Sequence, residues 1–485
     1  MSLPTLFEVC SPRADVREGQ ITESDFAADL ARVIRGDAPA EYQDAQKFFA
    51  NTHPTRGLKE LLASVCQRLQ GSSQQVGAIF RLDTNYGGGK THALIALWHV
   101  INGGQGVANV AEFIDPVLVP TGRVRVAAFD GENADPVNGR RMAAGILAKT
   151  PWGEMAYSLA GHEGYERVRS SDEQGIAPGA ETIRELFGHE PTLILLDELS
   201  IYLRKLKGSA RDRASGQLTA FLTALFKAVE SSPQAALVYT LAIGKGGQAI
   251  DAYAEENQAI AGMMDELMSV SARKATLLDP TQEDETVKVL RRRLFEWIDD
   301  DRAQAIMAAY RQVWEQHGEV IQPSGDVGAQ IEAFQHGFPL HPELMETLRD
   351  KTATLSNFQR VRGMLRLLAR TVAQLWQHQP QRTHAIHLHH LGPDNEGIRR
   401  EITTRLGLNQ FLPAIRADVA GVEGDQPALA QTLDTQQYGG LPPYGSLVAR
   451  VILWHSLAFN EALKGLTVAV AVLGLSARDR CQLCG

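Results

Sequence analysis

Cysteine is scarce. The 485 residues contain four, at positions 10, 66, 481 and 484, which is no disulfide framework for a chain of this length and points to a reducing setting. Long apolar runs are missing too. The longest, at residues 466–475, is about half of what crossing a bilayer requires and reads as a buried helix or strand. The opening MSLPTLFEVCSPRADVREG has no continuous apolar stretch of the kind a signal peptide needs. An excess of positive charge is also absent. Lys and Arg number 48 against 57 Asp and Glu, a net charge of −9, which argues against coating nucleic acid through the overall field and leaves room only for a local basic surface. The expectation is a cytoplasmic protein with no membrane association. Its 44% hydrophobic and 22% charged residues are those of a soluble globular protein, and its length divides into roughly two to four domains.

Strand-like and helix-like segments alternate through the first half. Residues 76–82 (VGAIFRL) form a short apolar run that enters a glycine cluster, and residues 92–101 (HALIALWHVI) are apolar almost all round, as a helix packed on a sheet would be. Further strands are expected at 123–129 (RVRVAAF, ended by Asp130-Gly131), 192–196 (TLILL, ended by two carboxylates) and 235–243 (AALVYTLAI). Between the last two, apolar residues at 218, 221, 222, 225, 226 and 229 have helical spacing. Such alternation predicts an α/β fold, a parallel sheet with helices on its faces. Later segments are helical. A helix is expected to start at Pro280 with Thr281 as N-cap and Asp284 three residues on. Another, from near Asn357, puts Val361, Leu365, Leu368, Val372 and Leu375 on one face. The predicted organisation is an N-terminal helical region over 1–74, a sheet domain over 75–280, a helical lid over 281–380 and a helical C-terminal region over 381–485.

The strongest chemical signal is Asn85-Tyr86-Gly87-Gly88-Gly89-Lys90-Thr91-His92, a glycine loop after a strand and opening a helix. That is the context of a phosphate-binding P-loop. Glycine lets successive backbone N–H groups close on phosphate oxygens, and the helix N-terminus adds partial positive charge. Lys90 would reach the β- and γ-phosphates of ATP and the Thr91 hydroxyl would ligate Mg²⁺. Position 84, where the full pattern has glycine, is Thr84. The plainer reading is a glycine-rich turn.

The second signal is the apolar strand that ends in Asp197-Glu198, where ligands bind in open α/β sheets. Asp197 is expected to hold Mg²⁺, mostly through water, and Glu198 to polarise the attacking water. Thr240, at the tip of the next strand, matches the sensor-1 residue of AAA+ proteins; its plainer reading is a satisfied strand threonine. Arg273, before the fifth candidate strand at 275–278, stands where AAA+ rings carry the arginine finger. Arg362, followed by Arg366 and Arg370, stands where AAA+ lids place the sensor-2 arginine, against the plainer reading of a solvated helical face. The basic run at 202–213 (YLRKLKGSARDR) is either a DNA-phosphate contact or a solvated loop. Trp152-Gly153 is an aromatic–glycine pair where translocating AAA+ proteins often carry a pore loop; the plainer reading is a buried tryptophan. Neither Cys481 and Cys484 nor His384, His387, His389 and His390 is expected to bind metal.

In combination, residues 48–58 (FFANTHPTRGL), Tyr86 to His92, Trp152-Gly153-Glu154, Gly175 to Gly179, Leu195 to Leu199, His341 to Leu344 and Arg362 to Arg366 resemble a family of large AAA+ ATPases of bacteria and archaea known as a domain of unknown function. Members often accompany adenine-specific DNA methylases and helicases in islands that look like restriction or phage-defence systems, and are commonly longer, so a truncated C-terminal region is expected. The resemblance implies an ATP- and Mg²⁺-dependent P-loop AAA+ ATPase, a homo-oligomer working with DNA and DNA-modifying partners. The alternative is a nucleotide-dependent scaffold or switch with negligible turnover. Glu198 separates the two, because a pure switch needs no positioned base. Small-molecule kinases and ABC-type ATPases fit less well: no acceptor site is recognisable, and Ser215-Gly216-Gln217 follows the carboxylate strand instead of preceding it.

Overall fold

In the computed structural model, the described residues are 3–19, 28–71, 76–83, 89–207, 211–241, 275–321, 326–351, 360–405, 407–421 and 426–457, with Gln258 and Gly262. The chain divides into two compact units, one of Ala27–Glu285 and the other of Met1–Phe26 with Thr286–Gly485. Among the described residues no helix is long and apolar enough to cross a membrane.

The unit Ala27–Glu285 is built on five parallel strands: β1 (Ile79–Asp83), β2 (Arg125–Asp130), β3 (Thr192–Asp197), β4 (Ala235–Leu241) and β5 (Thr276–Leu278). Parallel strands need cover on both faces, and the sequences of β3 and β4, TLILLD and AALVYTL, are buried at every position. Side chains alternate between the two faces. Leu193, Leu195, Ala236 and Val238 join the core of α1 (Arg56–Leu69) and α2 (Lys90–Gly103). Ile194, Leu196, Leu237 and Tyr239 face the opposite layer, formed by α3 (Pro151–Gln174), α4 (Ala180–Phe187), α5 (Leu199–Lys207) and α6 (Arg211–Glu230). Each large apolar side chain buried this way contributes about 1.5–3 kcal/mol. The fold class is therefore α/β, three layers deep in this unit. The sheet order is β2-β3-β4-β1-β5. Its consequence is local: β1, which feeds the glycine loop, and β3, which carries the carboxylates, are separated by β4.

The stretch 48–58 braces the start of α2 and the end of β5. His92 Nε2 lies 2.8 Å from Thr52 Oγ1, and its ring stacks on Phe48 at 4.4 Å. Thr55 caps α1 by accepting from the Leu58 N–H at 3.3 Å and donates its hydroxyl to the Pro280 carbonyl at 2.6 Å. Gly57 passes so close to the chain there that a Cβ would sit 1.8 Å from the Asp279 carbonyl oxygen.

Those same contacts change where the next helix begins. The Thr281 N–H bonds Asp279 Oδ1 at 3.2 Å and Asp284 pairs with Arg56 at 2.5 Å. The expected cap is thereby dissolved. A 3-10 turn, Glu283–Glu285, fills the gap, and helix α7 spans Thr286–Leu294. The second unit continues with α8 (Asp300–Gln316), α9 (Arg360–His378) and α10 (Tyr444–Leu457). On α9, Leu368 and Val372 are fully buried, as the periodicity predicts, and residues 352–359 lie outside the described set. The core of this unit gathers Leu6 and Val9 from the N-terminus with Leu290, Trp314 and Trp454. Cys10–Pro12 pairs antiparallel with Phe295–Ile298. Cys10 and Cys66 are free and buried, and burial pushes the Cys66 thiol up to about 12.

Gly57→Ala is expected to force backbone apart at the end of β5, costing about 2–3 kcal/mol or more. A thermal melt should show a midpoint about 5–10 °C lower; an unchanged midpoint would contradict the close approach.

Candidate functional site

The site lies at the C-terminal ends of β1, β4 and β3, where an open parallel sheet binds its ligands. β1 ends at Asp83, and residues 84–88, with Tyr86, Gly87 and Gly88 among them, lie outside the described set. Gly89 follows in the left-handed region, φ 83°, a conformation glycine adopts without a Cβ penalty. Lys90 opens α2 and is buried at 5% exposure. A buried ammonium needs opposite charge beside it. Lys90 has it: its charge pulls against the rise of both the Asp197 and the Glu198 carboxyls.

Asp197, the last residue of β3, is 2% exposed. Its Oδ1 accepts the Thr240 hydroxyl at 2.6 Å, and the Thr91 hydroxyl hydrogen-bonds the same carboxylate. Thr240 Oγ1 in turn accepts the Glu198 backbone N–H at 3.2 Å. One hydroxyl thus fixes both the Asp197 side chain and the Glu198 backbone. The structure brings together Lys90, Thr91, Asp197, Glu198 and Thr240 from three strand ends.

Both carboxyls are held above their ordinary range. For Asp197 the largest cause is burial, with Asp130 adding to it and the Thr240 and Thr91 hydroxyls and Lys90 opposing it. For Glu198 the cause is again burial, then the neighbouring Asp197, opposed by Lys90 and reinforced by Glu132 and Asp130. Desolvation plus a like charge raises a carboxyl in this way, and clusters of this kind concentrate at functional sites.

A second layer holds Glu198 in place. Its φ of 49° is left-handed, uncommon for a side chain with a Cβ and costing of order 1 kcal/mol or more. Its carbonyl accepts the Ile201 N–H at 3.1 Å, starting α5. Gly131, after β2, donates its N–H to the Asp197 carbonyl at 2.9 Å, and a Cβ on it would come within 2.1 Å of the Glu198 carbonyl oxygen. Asp130 pairs in register with Asp197 and ties its loop by accepting the Glu132 N–H at 2.8 Å and the Asn133 side-chain amide at 2.8 Å. Lys205 donates to the Gly131 carbonyl at 3.2 Å, to that of Ala134 at 2.9 Å and to that of Glu132. Sequence reasoning missed this layer. Asp130-Gly131 was legible only as the end of a strand, and Lys205 as one charge in a basic run.

Other singled-out residues fall elsewhere. Lys205 of the basic run is spent on loop carbonyls, and the side chains of Lys207, Arg211 and Arg213 lie outside the described residues, as does Arg273. His92 is committed to Thr52 and Phe48. Trp152 is buried against Phe221. Gly153 is pressed under Asp172, whose carboxylate would lie 2.2 Å from a Cβ there. Arg362 is half-buried on α9 of the other unit. Two of its companions are not solvated as the plainer reading expects: Arg366 and Arg370 each lie 3.1 Å from the buried Glu401 carboxylate. Among the described residues no group of three or more His, Cys, Asp or Glu is placed to hold a metal.

A family model described as the DUF499 N-terminal domain matches residues 6–275, and one described as the DUF499 second domain matches residues 281–468. Their junction falls near Glu285, where the first compact unit ends. No curated protein and no solved structure matches the chain.

The raised carboxyls make a stability prediction. A folded-state value above the ordinary 4.5 of Glu198 means that the folded chain keeps a proton the unfolded chain has released. Stability is therefore lost as pH rises through that window. Glu198→Gln removes the cost. In nucleotide-free protein its melting temperature should exceed that of the parent, with a gap that widens from about pH 5 to about pH 8. A gap that is absent, or that narrows with rising pH, would show that Glu198 is not held protonated.

Proposed function

The chain belongs to the DUF499 family, whose description carries no reaction, and from the site itself we propose that it binds ATP with Mg²⁺ and hydrolyses it as an AAA+ ATPase. The observation that carries this reading is the convergence of Lys90, the Thr91 and Thr240 hydroxyls and the Asp197-Glu198 pair on one spot.

Each group has a task in phosphoryl transfer to water. Lys90, at the head of α2, would set its ammonium against the β- and γ-phosphates. Thr91 and Asp197 offer hard oxygen donors that already share a hydrogen bond, a donor set that fits Mg²⁺. When bound, Mg²⁺ would supply neutralising charge to the phosphate oxygens. Glu198 takes the proton of the attacking water. Its raised value suits a base that works near neutral pH, and the clamp from Gly131 and Thr240 keeps it from swinging away. Thr240 ties the Asp197 carboxylate to the Glu198 backbone and would sense the γ-phosphate. The AAA+ assignment is supported by β4, with its sensor-like threonine, lying between β1 and β3, and by the helical unit that follows β5 along the chain. In this reading Arg273 acts as a finger toward a neighbouring copy, Arg362 as a lid arginine, and DNA with a methylase or helicase as the partner machinery. A switch with negligible turnover would have no use for a clamped Glu198.

Steady-state ATP turnover, alone and with duplex DNA, tests the proposal. Lys90→Ala should lose both ATP binding and turnover. Glu198→Gln should still bind ATP while turnover falls about 100-fold or more. Tight ATP binding with no turnover under any of these conditions would put the switch in place of the enzyme, and turnover unaffected in Glu198→Gln would remove that residue as the base.

A further inference from the structure

The unit containing α9 and α10 encloses a cavity of about 530 Å³, within the range of small-molecule sites. Its lining is distinctive. Five histidines, at positions 378, 384, 387, 389 and 390, share it with Arg382 and Arg450, and among the described residues no Asp or Glu lines it. Pro380, Pro442, Pro443 and Leu447 give it apolar walls.

The histidines form a packed wall in which His384, His387 and His389 are buried. Ile386 is pinned by its N–H to the Pro339 carbonyl at 2.8 Å and by its own carbonyl, which accepts the His341 N–H at 2.9 Å. His387 stacks on His341 at 4.3 Å and on His389 at 5.0 Å, and His389 meets the edge of His390 at 4.2 Å. His387 Nε2 is engaged by the Tyr310 hydroxyl at 2.7 Å, and His390 Nδ1 accepts the His387 N–H at 2.9 Å. Rings packed this closely resist carrying charge together. Burial, then His387, Arg450 and His341, accordingly push the His390 ring well below its ordinary value. No cluster among the described residues is arranged for a metal. Arg382 and Arg450 bring fixed guanidinium charge to this cavity. Arg450 is steadied by Asp394 at 3.0 Å. Arg382 is exposed and sits on a turn just after α9 in which Gln379 and Arg382 both adopt left-handed backbone, φ 41° and 62°. Residues with a Cβ are strained in that region, and such strain clusters at ligand clamps.

We propose that this cavity is a second ligand site, for a small anion bearing a flat ring, in chemical class a nucleoside monophosphate. The ring lies against the exposed His378 imidazole and the proline surfaces, and the phosphate meets Arg382, with Arg450 adding charge from the wall. A bare phosphate would leave most of the volume and all of the flat surface unused. The site is separate from Lys90 and Glu198, so its test does not depend on ATP hydrolysis.

Titration calorimetry of the full-length Lys90→Ala protein with AMP and with adenosine tests this, beside the same protein carrying Arg382→Asn. Asparagine tolerates positive φ better than arginine, so an unchanged melting temperature will show that the variant is folded. AMP should bind saturably to the Lys90→Ala protein. Arg382→Asn should weaken it by about tenfold or more, and adenosine should bind at least about tenfold more weakly than AMP. No saturable AMP binding, an affinity untouched by Arg382→Asn, or adenosine binding as tightly as AMP would each overturn the proposal.

Discussion

The hydroxyl of Thr240 organises the site: it donates to Asp197 at 2.6 Å and accepts the N–H of Glu198 at 3.2 Å. A hydrogen bond to a charged group is worth about 1.5–3 kcal/mol, and this one sits where two strands that do not touch must cooperate. β1 carries the chain into the glycine loop, β3 ends in the carboxylates, and β4 is the spacer between them. Because Thr240 pairs in register with Leu82 of β1 and bonds across to β3, the end of β1, the two acids and the spacer form one connected edge. Preorganisation of this kind lets fixed groups act on a reacting centre without reorganising.

Electrostatically the edge is unbalanced. One buried ammonium, Lys90, faces Asp197 and Glu198; Asp130 raises both carboxyls further, and Glu132 raises that of Glu198. Two like charges in a desolvated pocket resist ionising together, so the nucleotide-free site favours keeping a proton on Glu198. A divalent cation would reverse that preference. The strained φ of Glu198 and the glycine at 131 belong to the same arrangement: the backbone is bent and locked so that a carboxyl otherwise costly to bury stands at the sheet edge.

Much of this was legible in the chain because it is local. TLILLD and AALVYTL declare strands buried on both faces through composition alone, and Lys90 opens a helix directly after the glycine run, as expected. Non-local facts were not legible. Nothing in the sequence orders the strands, so the interposition of β4, which lets Thr240 reach Asp197, appears only in the fold. Asp130, Gly131 and Lys205 act through backbone carbonyls and close approach, and such roles leave no pattern of residue types. The helix expected from Thr281 begins at Thr286 instead because Asp284 is taken by Arg56, far earlier in the chain. The pairing of Cys10–Pro12 with Phe295–Ile298 is equally remote in sequence. His92 looked like part of the phosphate loop, yet Thr52 and Phe48 hold it; the stretch 48–58, recognisable as a motif, is the brace of the loop helix.

The most direct test of the central claim is a crystal structure of the Glu198→Gln protein soaked with ATP and Mg²⁺. The account predicts a triphosphate over the N-terminus of α2 with Lys90 on its oxygens, the metal bound by the Thr91 hydroxyl and facing Asp197, and the side chain at 198 directed at a water beside the γ-phosphate. Nucleotide bound elsewhere, or bound here with Thr91 and Asp197 still hydrogen-bonded to each other and no metal between them, would contradict it.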